Sequence, residues 1–116
     1  MDSLLDRTAV LERFDGDEDV IRKIAQLFLE EYPNLLQEIR NAIAQNDVEA
    51  LRHSAHTLKG AASNFSPAAA SEVFKLEQLG KCGTVAGAEA QLAVVERSLE
   101  MLVAELTAAF LASVQA

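Results

Sequence analysis

The stretch Leu51–Phe65, LRHSAHTLKGAASNF, decides how the rest of the chain is read. Leu51, Ala55, Leu58, Ala62 and Phe65 recur at alternating four- and three-residue steps, the stripe of an amphipathic helix. With that stripe at zero on a wheel of about 100° per residue, His56 falls about 140° away, toward solvent. Arg52, Lys59, Gly60 and Ser63 stand three, four or seven positions from His56 and so surround its ring. Gly60 costs the helix about 1 kcal/mol relative to alanine. Open space for a large partner to approach the ring is the simplest compensation.

Each feature alone has an ordinary explanation. A lone histidine on a helix is usually a solvated side chain, a lysine a surface charge, and a glycine a tolerated defect. Their combination is harder to dismiss: an exposed imidazole, a cation at i+3, a glycine at i+4 and small residues alongside.

The run His56-Thr57-Leu58-Lys59-Gly60-Ala61-Ala62 resembles the H-x-L-K-G motif of histidine-containing phosphotransfer (HPt) domains of bacterial-type phosphorelays. The likeness extends to Ala55 and to Leu76-Glu77 in the following helix. One departure is visible: the family usually has glycine where this chain has Ser66. The resemblance implies an all-α, up-down-up-down four-helix bundle with a short additional N-terminal helix. It implies that His56 accepts and donates the phosphoryl group, that Lys59 orients or neutralises the phosphoryl oxygens, and that Gly60 gives a receiver domain close access. It implies a response-regulator receiver domain as partner, supplying the phosphorylated aspartate and Mg²⁺. Apolar surface near His56 would form the docking patch.

With 116 residues the chain suits one domain with one core, spanning 1–116. Half the residues are hydrophobic, and strong helix formers dominate. The net charge of −8 argues against nucleic acid and against anionic membrane surfaces. Cys82 is the only cysteine, so an intrachain disulfide is impossible and a reducing compartment fits. No apolar run approaches a membrane span, and Asp2 follows Met1 where a leader would be basic and apolar. The expectation is a cytoplasmic monomer. It reads equally as a free small protein or as a domain of a longer hybrid kinase.

In order, a short helix is expected from Asp6 to about Phe14, with Leu5, Ala9, Val10 and Phe14 apolar. Asp15-Gly16-Asp17 breaks it, and Asp17 caps the next. The second helix runs from Glu18 to about Gln45, with Val20, Ile24, Leu27, Phe28, Leu35, Ile39 and Ile43 near one stripe. Pro33 lies inside it, and the stripe keeps phase across the proline, which favours one bent helix over two. Asp47 caps the His56 helix. Ser66 caps, and Pro67 starts, a short fourth helix ending near Leu79. Gly80 and Gly83 then bracket a loop. The last helix, from about Thr84 to Ser113, shows a heptad pattern through Val85, Ala88, Leu92, Val95, Leu99, Leu102, Leu106 and Ala109. That pattern fits a coiled-coil dimer or a bundle seam. The bundle is preferred, because the other amphipathic helices need a surface to bury.

A neutral imidazole can attack phosphorus and hold the phosphoryl group covalently. Lys59 offers a cation with Arg52 nearby, and Thr57 and Ser63 are weaker donors. No P-loop, kinase glycine loop or acidic metal cluster accompanies His56, so neither ATP nor a metal cofactor is expected. His53, also exposed, lacks lysine at i+3 and glycine at i+4. The rival readings are a helical scaffold or dimerisation module without phosphoryl chemistry, and an enzyme using His56 as general base. The second lacks any visible orienting group or pocket.

Overall fold

The computed structural model describes residues 3–111, and within them every regular element is helical. The helices are α1 (Arg7–Arg13), α2 (Glu18–Ala44), α3 (Val48–Ser63), α4 (Pro67–Lys81) and α5 (Ala88–Leu106), followed by a π-helical turn (Thr107–Leu111). α2 to α5 form the expected four-helix bundle, with α1 as the short addition.

The starts are set by side-chain caps. Asp6, Asp17, Asp47 and Ser66 each accept the amide of the residue three positions on, at 3.1 to 3.2 Å. Each satisfies a donor the helix itself cannot, worth about 1 kcal/mol. Ser66 has extended backbone, φ −153°, which any residue adopts. Its capping bond and Pro67 define this corner, and no glycine is needed.

Leu51, Ala55, Leu58, Ala62 and Phe65 are all buried, as their spacing predicts. They meet Ile39 and Phe28 of α2, Val73 and Leu76 of α4, and the α5 seam of Leu92, Val95, Leu99, Leu102 and Leu106 in one core. Burying each such Leu or Phe contributes about 1.5–3 kcal/mol. α2 is continuous through Pro33.

Three expectations need correction. The buried stripe of α2 is centred on Ile21, Ala25, Phe28, Leu36 and Ile39, whereas Val20 and Leu27 are 38% and 53% exposed. The period was right; the apolar residues of this half simply outnumber those the bundle covers. α5 begins at Ala88, because Gly87 takes a left-handed φ of 81° and Ala86–Gly87 forms a turn closed by Ala88 N donating to Val85 O at 3.0 Å. It ends at Leu106, and the π-helical turn that follows puts Phe110 and Leu111 into the core; Ser113 lies outside the described residues. Finally, Gly80 belongs to α4, not to a loop. A Cβ there would come within 2.8 Å of Arg52 N and Val48 O. At Gly80 the backbones of α3 and α4 therefore pack so closely that no side chain fits between them.

Candidate phosphotransfer site

That close approach sets up the site. Glu77 lies one turn before Gly80 on α4, and His56 one turn after Arg52 on α3. With the helices pressed together at Gly80, Glu77 reaches the His56 ring. Its Oε2 is 3.1 Å from His56 Nδ1 and 3.5 Å from Lys81 Nζ, while Lys59 Nζ sits 2.8 Å from Oε1. Glu77 is only 2% exposed; the His56 side chain is 62% exposed. Lys59 also lies over the Phe74 ring, 4.8 Å from its centroid. Glu77 Oε1 lacks a well-aligned hydrogen-bond donor, so the close Lys59 contact is an ion pair first.

Burial opposes ionisation of Glu77, but the Lys59 contact and the His56 hydrogen bond outweigh it and hold the carboxyl below its usual range. An ionised carboxylate only accepts, so Nδ1 must carry the ring hydrogen and donate it. The Nε2 lone pair of the neutral ring is then free, and Nε2 bonds to no described residue. The arrangement is a solvent-facing nitrogen lone pair on a ring whose tautomer a buried charge selects.

The other singled-out residues divide. Gly60 leaves open space, with nothing within 4 Å of an added Cβ. Thr57 Oγ1 donates to His53 O at 3.1 Å, and Ser63 Oγ to Gly60 O at 2.7 Å, so both hydroxyl hydrogens are spent on their own helix. Arg52 pairs with Glu49 at 3.3 Å, which raises its pKa. His53 is exposed. Glu77 follows Leu76 in the part of α4 that shares the family likeness, and its place beneath His56 is visible only in the fold. Its signal was position: it falls within the inward arc of Ala69, Val73, Leu76 and Gly80, where a carboxylate requires a partner.

The Hpt domain family model matches residues 23–109. The chain belongs to the Hpt domain family. Among solved structures, histidine-containing phosphotransfer protein B (HptB) of Pseudomonas aeruginosa PAO1 is similar, with a TM-score of 0.82 and 25% identity, covering 90% of this chain and 91% of that one. No curated protein matches the chain significantly. The Hpt membership supports a histidine phosphotransfer role in a phosphorelay, in which such domains act as phosphotransfer intermediates and not as kinases. No helix among the described residues is long and apolar enough to cross a membrane.

Proposed function

We propose that His56 takes a phosphoryl group from the aspartyl phosphate of one receiver domain and passes it to the aspartate of another. The observation that supports this most is the His56 Nδ1–Glu77 Oε2 contact beneath an exposed ring. Nε2 attacks phosphorus, the bond from phosphorus to the aspartyl oxygen breaks, and its electron pair leaves with the receiver carboxylate. The ring keeps its Nδ1 hydrogen and becomes cationic, and the adjacent Glu77 charge stabilises that cation. Lys59 is the cation placed to meet the phosphoryl oxygens, and Gly60 keeps the approach open. Mg²⁺ comes with the receiver.

Charge supports the choice of partner. Residues 48–81 hold four Lys/Arg against three Asp/Glu, whereas the rest of the chain holds six against fifteen. The His56 segment is thus suited to an acidic active site on an otherwise acidic protein.

The test is transfer of label from phosphorylated bacterial receiver domains. Wild type and His53→Gln should acquire acid-labile, base-stable label, and His56→Gln none. Labelling that persists in His56→Gln, or no transfer from any receiver, would sink the reading.

A further inference from the structure

We infer that Lys81 is a positioning residue for phosphoryl transfer, acting through Glu77: it holds the buried carboxylate while Lys59 turns to the phosphoryl group. This rests on the phosphotransfer reading of His56.

Glu77 has two lysines and one imidazole against its two oxygens. With the ring neutral, Lys59 is the close partner at 2.8 Å and Lys81 stands off at 3.5 Å, more than half exposed. In that state Lys59 is the close cation at Glu77, His56 its hydrogen-bond donor, and Lys81 the more distant cation. Phosphorylation changes the demands. A phosphoryl group on Nε2 brings two negative charges beside Lys59, whose Nζ cannot serve Glu77 Oε1 and the phosphoryl oxygens equally well. If Lys59 leaves, a buried carboxylate loses its nearest cation, which is costly unless another replaces it. Lys81, one turn along α4 from Glu77, is the remaining lysine at that carboxylate. Its long, mobile side chain can close the gap without moving the helix. Without it, Lys59 stays bound to Glu77 and the phosphoryl group goes unneutralised.

Potassium phosphoramidate, a small phosphoryl donor that reacts with histidine directly, tests this without a receiver. The exposed His53 of the same chain is the internal reference, and ³¹P NMR or mass spectrometry reads the His56:His53 ratio. Lys81→Met should lower that ratio about fivefold, the scale of a half-exposed ion pair, and Lys81→Arg should restore it. In a Glu77→Gln background, where no buried charge needs holding, Lys81→Met should cause no further loss. The His56 ring ¹⁵N shifts of the unphosphorylated protein should be the same in Lys81→Met as in wild type, since Lys59 is still in place; a merely structural role would move them. A wild-type ratio in Lys81→Met overturns the inference. So does a loss that persists with Glu77→Gln, which would put Lys81 directly on the phosphoryl group. Failure of receivers to label wild type would defeat the relay reading while leaving this ratio measurable.

Discussion

Glu77 Oε2 lies 3.1 Å from His56 Nδ1, a buried carboxylate under an exposed ring. The pairing links two helices through chemistry and not only through packing. It has direct consequences for rate and for pH dependence.

Glu77→Ala should slow phosphoryl transfer to His56 about tenfold or more, the effect of losing one hydrogen bond to a charged group. Glu77→Gln should fall between, because its amide oxygen still accepts from Nδ1 but brings no charge to the cationic ring. Single-turnover transfer from a phosphorylated receiver reads both. Equal rates for wild type and Glu77→Ala would remove Glu77 from the mechanism.

Glu77 is held below the usual carboxylate range, so its sign in acid is fixed. A group whose folded pKa is depressed stabilises the fold above its unfolded pKa and loses that contribution as pH falls through its folded pKa. Between about pH 6 and about pH 3, spanning ordinary carboxylate titration, the Tm of wild type should fall further than that of Glu77→Gln. Glu105 is also held low, in spite of burial, by Ser3 and the Leu4 and Leu5 amides, but it contributes to both proteins and cancels in the difference. Parallel Tm curves would mean Glu77 is not ionised as described.

The Leu51–Phe65 stripe and three of the four caps, Asp17, Asp47 and Ser66, were legible because both depend on nearest neighbours in sequence; Asp6, read as the first residue of its helix, is its cap. Gly80 and Glu77 were not, because their reasons lie on α3. Locally, Gly80-Lys81-Cys82-Gly83 has the composition of a loop; only the α3 backbone at Val48 and Arg52 explains a glycine inside a helix. Val20 and Leu27 show the converse limit: period reveals an apolar face but not how much of it the neighbours cover.

The two α3–α4 glycines should respond oppositely to alanine. Gly80→Ala forces a methyl group against backbone at 2.8 Å and should destabilise by about 1–3 kcal/mol. Gly60→Ala meets open space and should stabilise by up to about 1 kcal/mol through helix propensity. Urea denaturation distinguishes them. A neutral Gly80→Ala would show that the helices part easily there.

Gly60→Leu separates stability from access. Leucine is a far better helix former than glycine, so the variant should unfold at higher denaturant than wild type. Its side chain would nonetheless project into the open space one turn along from His56, on the side a receiver must cover. Transfer from a phosphorylated receiver should therefore slow about tenfold, the scale of a modest clash at an interface that otherwise fits. Labelling of His56 by phosphoramidate, which is small, should slow much less. The ratio of the two rates isolates access from chemistry. If Gly60→Leu accepts from a receiver as fast as wild type, the open space beside Gly60 is not where the partner sits.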